Sequence, residues 1–150
     1  MLKTHFAVVR TNYDLQRYDY PYLPKQEIDK IINNILGSYG NIQIEHVKRF
    51  TYDNLSDSIV MFWSDMKEIE RHYYRLNRFG TFLRTADVRR YFKNSAKKQL
   101  INNWVYGDIL FATQDKKGEL SGLSAELWYE LKHYHKYISD LLKEEQARFD

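Results

Sequence analysis

The chain has 150 residues, 43% of them apolar and 29% charged, with no cysteine. That is the size of one domain with a self-sufficient core, and the balance is that of a globular chain, not a disordered one. The missing cysteine excludes disulfides, thiolate zinc sites and a cysteine nucleophile, and the formal net charge of +3 gives no overall charge signal.

The N-terminal stretch holds one Lys and a four-residue apolar run, without a secretory core, and no 18-residue apolar span occurs anywhere. A cytoplasmic protein without a membrane association is expected. Aromatics make up 16% of the chain.

Residues Thr4–Arg10 contain the continuous β-prone run Phe6-Ala7-Val8-Val9, which predicts a strand buried on both faces. Residues 11–24 carry Asp14, Asp19, Pro21 and Pro24 among tyrosines and read as a loop leading into a helix. The Pro21-x-x-Pro24 pattern is that lead-in, not a polyproline ligand. Ile28, Ile31, Ile32, Ile35 and Leu36 form one apolar helical face, closed by Gly37 and Gly40. Alternation of Ile42, Ile44 and His46 with Gln43 and Glu45 predicts a half-buried strand over 41–48.

The longest periodic signal follows. Leu55, Ile59, Phe62, Met66, Ile69, Tyr73 and Leu76 are spaced alternately four and three apart, which predicts a heptad-patterned helix over 55–78, stopped by Gly80. Two shorter helices are predicted over Thr85–Phe92 and Ala96–Val105, then a hairpin of Ile109–Thr113 and Glu119–Leu123 around Asp115-Lys116-Lys117-Gly118. Ser124 caps a last helix over 125–146, with Leu127, Leu131, Tyr134, Ile138 and Leu141 in a second heptad seam.

These elements predict a helix-rich α+β fold in one domain, 1–150. Residues 1–50 would form an α/β portion and residues 51–150 a helical portion. Within the latter, 85–123 resembles a winged helix in its order of elements. Helices 55–78 and 125–146 could zip together within the chain or build a homodimer.

Charge is concentrated. Residues 1–70 carry 8 Lys/Arg against 10 acids, and residues 99–150 carry 6 against 9. Between them, residues 71–98 carry nine basic residues against Asp87 alone: Arg71, Arg75, Arg78, Arg84, Arg89, Arg90, Lys93, Lys97 and Lys98. Six aromatics interleave them: Tyr73, Tyr74, Phe79, Phe82, Tyr91 and Phe92. Phosphates would relieve such like-charge repulsion and exposed aromatics could stack on bases, so this block, with Lys116 and Lys117 at the hairpin tip, is the candidate nucleic-acid site. The competing bland reading is a solvated or internally paired helix face.

Catalytic and metal signals are thin. His133 and His135 are two apart on a helix, about 200° around it, and do not share a ligand, while His5, His46 and His72 are scattered. No GxSxG, HExxH or glycine-rich phosphate loop occurs. No cofactor and no metal are expected. The favoured expectation is a non-enzymatic nucleic-acid-binding protein. The alternative is an inhibitor of phage or mobile-element type that docks on a host nucleic-acid enzyme. That idea fits the richness in Lys, Asn, Ile and Tyr, with only six Ala. A small metal-independent ribonuclease, built from Arg, Lys, Tyr and His, is the third reading.

Overall fold

A computed structural model describes residues 4–20, 25–37, 40–47, 59–66, 76–84 and 104–149. Its centre is a six-stranded sheet: β1 (Thr4–Val9), β2 (Leu15–Tyr20), β3 (Gly40–His46), β4 (Ile59–Met66), β5 (Ile109–Gln114) and β6 (Leu120–Ser121). The main path runs β2-β1-β5-β4-β3, with β6 paired to β5, and every pairing is antiparallel. Helix α1 (Lys25–Leu36) covers one face, while α2 (Arg78–Leu83) and α3 (Ala125–Phe149) cover the other.

Strand period decides which side chain goes to which layer. Ala7 and Val9 of β1, Ile59, Met61 and Trp63 of β4, and Ile109 and Phe111 of β5 point into the α2/α3 layer. Phe6, Val8, Val60, Phe62, Leu110 and Ala112 point to α1. Three strands with both faces covered need continuous apolar runs, and FAVV, IVMFW and ILFA supply them. Helix α1 meets them with Ile28, Ile32 and Leu36, and ends at Gly37, whose φ of 77° is the left-handed conformation glycine adopts freely.

The fold is therefore not helix-rich, and the long heptad helix 55–78 is overturned. Its core is β4, in which Ile59 and Phe62 are both buried but on opposite faces of the sheet. The sheet offers β4 a ladder on each edge and a helical layer on each face, which uses the residues between the heptad positions as well. Val60, Met61 and Trp63 are also apolar, and a helix with its seam at 59 and 62 would turn Val60 and Met61 toward water and leave Trp63 at the flank of the seam. A central strand buries all five. Leu76 forms an isolated bridge to Tyr106, and Gly80 lies inside α2, where an added Cβ would meet Ile109 Cγ2 at 3.0 Å. Residues 55–58 and 67–75 of that expected helix lie outside the described residues.

The homodimer seam expected between helices 55–78 and 125–146 thus lacks its first helix. The seam residues of the second, Leu131, Tyr134 and Ile138, are buried against the chain's own sheet. Residues 15–20, expected as loop, are edge strand β2, paired along its whole length to β1. Strands from both sides of residue 50 share one sheet. In the segment likened to a winged helix, β5 is the middle of that sheet, not a projecting wing. The helix expected over 85–92 lies outside the described residues, as do residues 96–103 of the helix expected over 96–105, whose last two residues, Trp104 and Val105, are not helical.

Asn77 locks α2 to the end of the sheet. It is fully buried, and its amide nitrogen donates to the carbonyls of Val9 (3.0 Å) and Gly107 (2.9 Å). Its side-chain oxygen accepts from Gly80 N at 2.9 Å, capping the helix, and its backbone N–H donates to Val105 O at 2.7 Å. Truncation strands two carbonyls and one N–H in a dry site. Asn77→Ala is expected to cost about 3 kcal/mol or more, read as a lowered midpoint in urea unfolding with an unchanged slope.

Candidate nucleic-acid interface

The β1–β2 turn and α3 enclose an open cleft of ≈ 690 Å³. Its walls come from two different local devices.

The turn is a three-residue hairpin loop. Tyr13 N donates to Arg10 O (3.0 Å) and Arg10 N to Asp14 O (2.9 Å), which places Tyr13 in the left-handed region at φ 74°. The β5–β6 turn repeats this pattern. There Gly118 N donates to Asp115 O (3.0 Å), Asp115 N donates to Glu119 O (3.0 Å), and the left-handed position is Gly118 at φ 83°. Glycine bears that conformation freely, whereas a tyrosine loses about 1–2 kcal/mol. Tyr13 recovers it by packing: its ring is buried in the α2/α3 core, with Lys143 Nζ 5.5 Å from the ring centroid.

The other wall is α3. Ser124 caps it, with Oγ accepting from Leu127 N at 3.2 Å. Trp128, Leu131, Tyr134, Ile138 and Leu142 fill its inward stripe. The flank of that stripe carries Tyr129, Lys132, His133, Lys136 and Lys143 to the cleft.

Arg17 of β2 joins the walls. Its guanidinium lies over the Trp128 ring, 5.5 Å from the centroid, and its Nε is 3.0 Å from Asp19 Oδ1. His5 Nδ1 stands 2.6 Å from that same oxygen. Arg17 is thus held from two sides, yet 43% of its side-chain surface stays open.

His135 pins the turn to the helix. A carbonyl can only accept, so His135 Nε2 carries the proton donated to Tyr13 O at 2.6 Å. The ring also lies 5.1 Å from that of Phe79. Burial holds the His135 pKa below its ordinary 6.5. Lys143 pushes the same way, and the Tyr13 carbonyl, Asp140 and Asp14 oppose them.

Four cations, Arg17, Lys132, Lys136 and Lys143, line the cleft against one lining carboxylate, Asp14. Asp19 stands behind Arg17, and Asp140 lies 3.5 Å from Lys136 in an exposed pair one helical turn apart. Tyr129 stands at the rim, 65% exposed.

The basic residues singled out from the sequence fall elsewhere. Arg78 starts α2 and pairs with buried Glu145 at 3.0 Å. Arg84 pairs with Glu45 of β3 at 2.9 Å and lies 4.5 Å over the Trp63 ring. Lys116 and Lys117 are exposed on the β5–β6 turn. Arg71, Arg75, Arg89, Arg90, Lys93, Lys97 and Lys98 lie outside the described residues.

Sequence reasoning missed the cleft. Lys132, Lys136 and Lys143 lie four and seven apart on a correctly predicted helix, so that part was open to detection. Arg17 was hidden by reading its strand as loop. His133 and His135 both line the cleft despite their angular separation. Among the described residues no cluster of three metal-ligating side chains occurs, and no helix is long and apolar enough to cross a membrane.

The chain matches no protein-family model, no curated protein and no solved structure.

The lowered His135 pKa carries a sign. The folded state binds this proton more weakly than the unfolded chain, so the stability from neutral His135 is present above pH 6.5 and is lost as pH falls through the depressed folded value. His135→Gln keeps an N–H for Tyr13 O but does not titrate. Thermal melts from pH 7 down to pH 5 are expected to fall more steeply for the wild type than for this variant.

Proposed function

We propose that the protein is a non-enzymatic nucleic-acid-binding protein whose contact surface includes the cleft between the β1–β2 turn and α3. The observation that carries this reading is the lining: Arg17, Lys132, Lys136 and Lys143 against Asp14, with Asp19 and Asp140 offsetting Arg17 and Lys136 in part, and an exposed aromatic at the rim. Lysines act toward phosphates as mobile point charges, and Lys132 and Lys136 stand one helical turn apart, about 6 Å along the axis. A polyanion of repeating phosphates suits such a row better than a single carboxylate ligand would.

Two arginines of the basic segment, Arg78 and Arg84, contribute to this surface less than their charge suggests, because each spends it on a partner within the fold. Arg71, Arg75, Arg89, Arg90, Lys93, Lys97 and Lys98 serve as further phosphate contacts, and Lys116 and Lys117 as an outlying pair.

The test is fluorescence anisotropy with labelled single-stranded and duplex oligonucleotides across a salt series. Each neutralised phosphate contributes about 0.7–0.9 to the slope of log K against log salt. Lys132→Ala with Lys136→Ala is expected to weaken binding and to flatten that slope by about 1.4–1.8. An unchanged slope would remove the cleft from the surface. No binding of either oligonucleotide at about 50 mM salt would sink the nucleic-acid reading and favour an acidic protein partner.

A further inference from the structure

Resting on that nucleic-acid reading, we infer that the cleft takes single-stranded nucleic acid, with unpaired bases stacked on Tyr129 and on the Arg17–Trp128 pair and the backbone held by Lys132 and Lys136. Three observations converge on it.

The first is the state of Arg17. Its charge is already offset by Asp19, so its net pull on a phosphate is reduced. What it presents is a plane: the guanidinium is backed by the Trp128 ring at 5.5 Å and fixed at Nε, with much of its surface open. A fixed guanidinium plane is a stacking surface for a base.

The second is Tyr129. It is the most exposed of the large hydrophobic side chains among the described residues, at 65%, and it follows Trp128 directly on α3. Leaving a tyrosine ring in water one residue from a buried tryptophan contributes nothing to the core. Stacking on a base uses that surface, because every base has a π-face.

The third is size. A cleft of ≈ 690 Å³ has the volume of a small-molecule site, about 300–1,000 Å³, with room for a nucleotide or two. A duplex is far wider, and it keeps its base faces inside its own stack. Only an unpaired strand can bring bases to Tyr129 and Arg17 while its phosphates reach Lys132 and Lys136.

The experiment compares oligo-dT, oligo-U and a mixed-sequence duplex of equal length on the full chain, by anisotropy at low salt. The single strands of both sugars are expected to bind at least tenfold more tightly than the duplex. Tyr129→Ala is expected to weaken single-strand binding about tenfold, to weaken duplex binding far less and to leave the melting temperature unchanged, and Tyr129→Phe is expected to restore single-strand binding. Arg17→Lys, which keeps the charge and loses the plane, is expected to weaken single-strand binding with an unaltered salt slope. Equal affinity for single strand and duplex, with wild-type binding in both Tyr129→Ala and Arg17→Lys, would overturn this inference and leave the broader reading standing. Absence of all nucleic-acid binding would overturn both.

Discussion

Leu110 and Phe111 are neighbours in the chain and belong to opposite cores. That pairing is the constraint on which the molecule depends. Strand β5 sits in the middle of the sheet, between β1 and β4, so its backbone needs a ladder on each edge and its side chains a helical layer on each face. One edge is met by β1 with its hairpin partner β2, the other by β4 with β3. The chain reaches β3 from β2, at opposite ends of the sheet, through α1, which covers the first face on the way. Helices α2 and α3 close the second face. Closing the sheet waits for a strand more than a hundred residues from the first, so its pairings are long in sequence and costly in loop entropy.

Asn77 and Tyr13 show how the second layer is held in register. Asn77 binds α2 to the ends of β1 and the 105–107 segment through polar groups in a dry site, where geometry is strict. Tyr13 binds the β1–β2 turn to α3. The same turn geometry is built at the β5–β6 loop with a glycine, so the backbone does not require tyrosine. Its ring and its carbonyl do the holding, the ring in the α2/α3 core and beside Lys143, the carbonyl beneath His135. The cleft wall is a strained turn clamped to a helix, a rigid setting for the cations it presents.

Charge counted along a chain differs from charge offered to a ligand. Arg78 and Arg84 belong to the densest basic block, yet the fold places each against a glutamate, Glu145 and Glu45. The C-terminal third is net acidic in sequence, yet one flank of α3 gathers Lys132, Lys136 and Lys143 beside Arg17. A helix sorts its residues by angle, so an acidic segment can still present a basic side.

Several elements were legible in the residues alone because each rests on a local rule. Strand β1 followed from a continuous apolar run, α1 from its isoleucine face and Gly37, the β5–β6 hairpin from Asp115–Gly118, and α3 from Ser124 and its stripe. Strand β4 was not legible. Ile59, Phe62 and Met66 satisfy a helical period and Ile59-Val60-Met61-Phe62-Trp63 satisfies a doubly buried strand, and a short apolar run does not choose between them. The choice came from outside the segment, since β3 and β5 offer ladders on both sides and helices wait on both faces. The cleft was illegible for the same kind of reason. Its halves, Tyr13–Arg17 and Trp128–Lys143, stand more than a hundred residues apart, and no local pattern records that a turn and a helix will face each other across a sheet edge.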